Sequence, residues 1–226
     1  MFEQQDMSTM EVFTRREVQA ATIWLHGLGV NASDLNAVIK NLSQSREMGL
    51  HYLAPNAPMR RISVDEERPA RAWFDVLSQP GEAPEDCDGI EESARFLVDI
   101  LQREAERGIP SGKTVLAGFS QGASMALHVG LRHEQPLAGI IALSGELVLA
   151  DELPEAASSA NGNTPILMMH GQDDEVVPVE AARRSRDHLL ALGYSVEWQE
   201  YPVGHSLSPE QIERIDQWMM DVLSAD

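Results

Sequence analysis

The sequence predicts the α/β class, a mostly parallel central sheet with helices on both faces, and three observations point there. Short apolar runs with strand character alternate with amphipathic stretches of helical period. Helix-boundary chemistry follows the apolar runs. A Gly-x-Ser-x-Gly segment lies between one such run and a helical pattern, where the chain has to reverse sharply. The 226 residues are 43% hydrophobic and 23% charged, enough apolar material for one sizeable core, so residues 1–226 are expected to form a single domain.

The strands expected from the apolar runs are Ala21–His26, Leu50–Ala54, Thr114–Phe119, Leu137–Ser144, Pro165–His170 and Ser195–Tyr201. Asp88 and Glu91 have the spacing of a capping box. After them Ile90, Ala94, Leu97, Val98 and Leu101 fall on one helical face, until Gly108 and Pro110 end a helix expected over 89–107. Residues 178–192 read as another helix, ended by Gly193. Ser208, Pro209 and Gln211 read as N-cap, first and third positions of a last helix that buries Ile212, Ile215, Trp218 and Met219. Three stretches carry no clear pattern: the first dozen residues, Ala54–Pro84 and Ala150–Thr164.

Charge and composition narrow the function. A net charge of −19 opposes binding to nucleic acid or an anionic membrane. The amino terminus Met1–Asp6 has neither a basic segment nor an apolar one, and no run approaches a membrane span, so a cytoplasmic chain is expected. Cys87, the sole cysteine, sits among Glu85, Asp86 and Asp88, which disfavour a thiolate. No metal-ligand spacing is present, and no metal is expected.

Gly118-Phe119-Ser120-Gln121-Gly122 follows the run Thr114–Ala117 and precedes an apolar helical pattern, the form of a nucleophile elbow. Glycines on either side let strand and helix approach closely while the serine hydroxyl stays accessible. Ser120 then needs a base, and the base needs an acid to orient it. In elbow hydrolases the chain order is serine, acid, histidine. Of seven histidines, His26 and His51 precede the serine, while His128 and His133 lie on or just past its helix. His170 precedes the acid candidates, and His188 falls inside a helix. His205, in the loop Pro202–Ser206 between the last strand and the last helix, is the expected base. The acid should follow the strand ending at His170, where Asp173, Asp174 and Glu175 are adjacent and residue type alone does not choose among them. Gln121, following the nucleophile, should supply one main-chain oxyanion donor, and Leu28 in His26-Gly27-Leu28-Gly29 the other.

Taken together, Trp24–Gly29, Ala54–Pro58, Arg71–Asp75, Gly118–Gly122, His170-Gly171 with Asp174, and Tyr201–His205 resemble the phospholipase/carboxylesterase family, which includes the acyl-protein thioesterases, over nearly the whole chain. The resemblance implies an α/β-hydrolase fold and a cytosolic serine esterase or thioesterase. Its substrates would be acyl esters of small to medium chain length, small molecules or acyl-proteins, with no cofactor and frequent homodimers. Lysophospholipase activity is an alternative within the same scaffold, and a non-catalytic binding module a remoter one. The resemblance also implies Asp174 as the acid and places Trp73 and Phe74 beside the acyl groove, the alternative for Trp73 being a core aromatic beneath a loop. Two segments depart from the pattern: Val30-Asn31-Ala32 after the glycine turn, and the charged run Val64–Arg68, which suggests an acidic rim hostile to anionic esters.

Overall fold

A computed structural model describes residues 8–63, 65–80, 82 and 84–224. Its main sheet has seven strands: β1 (Thr9–Phe13), β2 (Ala20–Leu25), β3 (Leu50–Pro55), β6 (Thr114–Phe119), β7 (Gly139–Leu143), β8 (Ile166–Gly171) and β9 (Val196–Tyr201). They lie in the order β1-β3-β2-β6-β7-β8-β9, and each neighbouring pair is parallel except β1–β3. A separate antiparallel pair, β4 (Met59–Ile62) and β5 (Asp65–Arg71), stands between β3 and the first long helix. The side chains of the charged run 64–68 fall outside the described part of the structure.

Period-two alternation along the inner strands divides the core in two. Ala21, Ile23 and Leu25 of β2, Leu116 of β6, and Ile140 and Ala142 of β7 face one side. There they pack against α2 (Cys87–Glu106), α3 (Gln121–Arg132), the short α4 (Leu153–Ala156) and α5 (Val179–Ala191). Ala20 and Trp24, Val115 and Ala117, and Ile141 and Leu143 face the other side, against α1 (Asn36–Asn41) and α6 (Pro209–Ser224). A parallel sheet needs this double cover because both of its faces are apolar. The edge strand β9 is half-buried and carries bidentate ion pairs outward, Glu200 to Arg183 and Glu197 to Arg214.

Several expectations shift in detail. The N-cap of α2 is Asp86, whose Oδ1 accepts from the Gly89 N–H at 3.1 Å, so the helix starts one residue before Asp88. Asp88 therefore lies in the first turn, where its charge favours the helix dipole instead of capping it. The box at Ser208 is complete: its Oγ accepts from Gln211 N–H at 3.2 Å, and Gln211 Oε1 accepts from Ser208 N–H at 2.8 Å. Parts of the unpatterned stretches form regular structure: β1 pairs along Thr9–Phe13, β4–β5 fills part of 54–84, and short helical turns occupy 150–161, while residues 1–7 lie outside the described residues. No helix among the described residues is long and apolar enough to cross a membrane.

Candidate active site

Ser120 sits between β6 and α3 with φ 55° and ψ −124°, a strained conformation that turns its side chain out of the strand. A Cβ on Gly118 would overlap the Gly122 carbonyl, and one on Gly122 would overlap Leu25 of the neighbouring strand. Only glycine permits strand and helix to meet this closely. The Ser120 N–H is held by the Leu143 carbonyl at 2.8 Å.

The β9–α6 loop carries His205 across the carboxyl end of the sheet. Its Nε2 lies 2.9 Å from Ser120 Oγ and its Nδ1 2.7 Å from Asp174 Oδ2. A carboxylate accepts only, so Nδ1 bears the proton and Nε2 is left to accept from the hydroxyl. Phe119 packs on the imidazole, with ring centroids 4.8 Å apart. Of the three adjacent carboxylates, Asp173 and Glu175 are exposed while Asp174 is buried. Asp174 Oδ1 accepts from the N–H groups of Val176 and Val177, both at 2.9 Å, which fixes the carboxylate plane. Asp173 N–H to Val203 O at 3.1 Å ties the acid turn to the histidine loop.

Leu28 lies just after β2 and is partly exposed beside Ser120, while Gln121 begins α3. Both line a cavity of about 860 Å³ that runs from Ser120 between the 74–87 segment, the 146–152 turns and α5. Phe74, Leu147, Val148 and Val177 give it apolar walls, and Asp75, Glu85, Asp86, Asp151 and Glu152 give it acidic ones. Burial raises the Glu85 carboxyl above its ordinary range, with Glu152 and Asp151 adding to the effect. Trp73 is absent from this wall. It is fully buried behind it, its indole N–H on the His26 carbonyl at 2.8 Å and its own carbonyl accepting from the Ser93 hydroxyl. The core position is favoured because every polar group of the residue finds a partner there. No group of three His, Cys, Asp or Glu among the described residues is arranged to hold a metal ion.

A hydroxyl–imidazole–carboxylate chain on a strained elbow, opening on a cavity with apolar and acidic walls, has the parts for acyl transfer. Comparison with known proteins agrees: the phospholipase/carboxylesterase family model matches residues 9–223. The chain belongs to that family. Within it, the chain is 34% identical to acyl-protein thioesterase 1 of Gibberella zeae, covering 88% of this chain and 89% of the relative. It is 32% identical to a probable carboxylesterase of Oryza sativa subsp. japonica, covering 90% and 77% respectively. Acyl-protein thioesterase 2 of Zea mays superposes with a TM-score of 0.86 at 30% identity, over 96% of this chain and all of that one. The fold is that of an α/β-hydrolase, and the family membership makes the chain a carboxylic ester hydrolase.

Three side chains of this phospholipase/carboxylesterase relative carry roles that sequence reasoning passed over. His26 is fully buried, donating from Nδ1 to the Gly27 carbonyl at 2.7 Å and accepting at Nε2 from Ala57 N–H at 3.0 Å. His170 donates from Nε2 to the Val177 carbonyl at 2.7 Å and lies 3.4 Å from Asp174 Oδ2. Burial holds both imidazoles below the ordinary histidine range, so both are neutral near pH 7. The Gln121 side chain spans to the Trp73–Phe74 backbone. The signal for the histidines was present in the repeated His-Gly at strand ends, but chain order set both aside as bases. Of the other histidines, His188 borders the cavity from α5, whereas His128 faces Glu91 away from Ser120 and burial pushes it down to about 3.

Proposed function

We propose that Ser120, His205 and Asp174 are a catalytic triad and that the chain hydrolyses acyl esters and thioesters of small to medium chain length. The observation that supports this best is the unbroken hydrogen-bonded chain from Ser120 Oγ through His205 to Asp174, 2.9 and 2.7 Å, at the head of the cavity. In the first half-reaction Ser120 Oγ bonds to the acyl carbon while His205 Nε2 takes the hydroxyl proton. The carbonyl oxygen becomes an oxyanion, and the main-chain N–H groups of Leu28 and Gln121 are its donors. Collapse breaks the bond to the leaving oxygen or sulfur, which receives the proton from His205. Water then attacks the acyl carbon, losing a proton to the same nitrogen; the bond to Ser120 Oγ breaks, the oxygen takes that proton back from His205, and the free acid leaves. Asp174 holds the imidazole in its productive tautomer and stabilises the imidazolium. Phe74 meets the acyl chain and Trp73 supports it from behind.

The names of the fungal relatives favour acylated proteins as substrates, with the acyl chain in the cavity and the polypeptide outside. Nitrophenyl esters and acyl-thioesters of increasing length test the range. Ser120→Ala should lower turnover of a short nitrophenyl ester by about 10⁴- to 10⁶-fold. A variant hydrolysing at the wild-type rate overturns the proposal.

A further inference from the structure

We infer that the side-chain amide of Gln121 is a positioning residue, separate from its backbone N–H, and that it sets the distance between the two oxyanion donors. The inference rests on the triad proposal above. The amide is buried and makes two hydrogen bonds to consecutive residues: Oε1 accepts from Trp73 N–H at 2.8 Å, and Nε2 donates to the Phe74 carbonyl at 2.8 Å. The segment 71–74 also grips the other donor's loop from both sides, once through a side chain and once through its backbone. Trp73 Nε1–H reaches the His26 carbonyl at 2.8 Å, and the Arg71 carbonyl accepts from Gly29 N–H at 2.9 Å. Leu28 lies between those two anchor points.

The two proposed donors therefore have unequal support. Gln121 N–H is aimed by the start of a twelve-residue helix. Leu28 N–H sits on an irregular turn three residues past the end of β2, and its position relative to Gln121 is transmitted through residues 71–74. The Gln121 amide joins that segment to α3, and in doing so ties the acyl-facing wall at Phe74 to the oxyanion pocket. The task calls for one donor and one acceptor at the end of a chain of this length. Glutamate supplies the acceptor alone, methionine neither, and asparagine falls one methylene short.

Kinetics separate positioning from packing. Gln121→Met should lower kcat about 100-fold on acetyl and octanoyl nitrophenyl esters alike, because displacing an oxyanion donor costs the chemical step whatever the acyl group. KM for the acetyl ester should stay within about threefold and the pH profile should keep its shape, since the His205–Asp174 pair is untouched. Gln121→Glu, which keeps the acceptor for Trp73 N–H, should lose about tenfold. If Gln121→Met does not fold, Gln121→Glu and Gln121→Asn compared at equal folded fraction give the same test. Folded variants with kcat within twofold of wild type, or with losses confined to thermal stability or to KM for long chains, overturn the inference. Failure of the triad proposal looks different: in that case Ser120→Ala retains activity, whereas here Ser120→Ala is inactive and the Gln121 variants are unimpaired.

Discussion

His26-Gly27 and His170-Gly171 close two strands of one sheet on either side of Ser120, and each buried histidine holds a loop, but the two loops are built for different loads. On the β2 side the ring uses both nitrogens, bridging Gly27 O and Ala57 N–H, and braces a turn of main-chain groups. On the β8 side the ring uses Nε2 to grip Val177 O, and so braces a turn that already has its own carboxylate tying Val176 and Val177. The glycines differ in the same sense. A Cβ on Gly27 would come 3.2 Å from Ser120 Cβ, a tight contact, whereas one on Gly171 would overlap the Val203 and Gly204 carbonyls of the His205 loop. The turn that carries the proposed oxyanion donor Leu28 is thus held from outside by borrowed partners, and the turn that carries the proposed acid Asp174 is largely self-bracing. Loss of a brace should cost more on the first side than on the second.

The sharpest division falls within the acid turn. Asp174→Asn should lower kcat about 10⁴-fold by favouring the wrong imidazole tautomer, while Asp173→Asn, at an exposed position, should stay within about twofold. Steady-state kinetics on one nitrophenyl ester checks both, and a crippled Asp173→Asn would reassign the acid. Next in size is the comparison of the braces. His26→Phe should lower kcat about 100-fold, since it frees the proposed oxyanion turn and strands the Ala57 N–H, whereas His170→Phe should cost about tenfold. Equal losses, measured on folded protein, would erase the distinction between the two sides.

The smaller effect concerns acid. Burial holds His26, His170 and His128 below the ordinary histidine range, so the unfolded chain binds protons that the folded one refuses. Their contribution to stability is complete above about pH 6.5 and is lost as pH falls toward the folded-state values, at up to about 1.4 kcal/mol per pH unit for each histidine. Thermal melts at pH 7 and pH 5 should show the drop. His128→Gln, remote from Ser120, should flatten it with activity retained, and an unchanged slope would exclude that histidine.

Much of this was readable from residues alone because it is local. The six apolar runs became strands within a residue or two, and the elbow announced itself through glycines whose spacing has a steric cause. What escaped depends on partners distant in sequence. β1 is only five residues long and nowhere fully buried, and it exists because β3 offers it an antiparallel edge. β5 contains Pro69 and a run of charges, which a two-stranded ribbon tolerates and a central strand would not. The cap of α2 lay two residues from the expected one because Asp86, Asp88 and Glu91 all satisfy a boundary pattern. Trp73 and Gln121 are coupled across 48 positions, and nothing in either residue's neighbours reveals the bond.

The proposed triad requires that His205 activate Ser120. Time-resolved mass spectrometry after exposure to a nitrophenyl phosphonate tests it directly. Wild-type protein should gain one phosphonyl group on Ser120, and His205→Ala should gain the same group at the same residue at least about 10³-fold more slowly. An adduct on another residue, or labelling of Ser120 at an unchanged rate without His205, would contradict it.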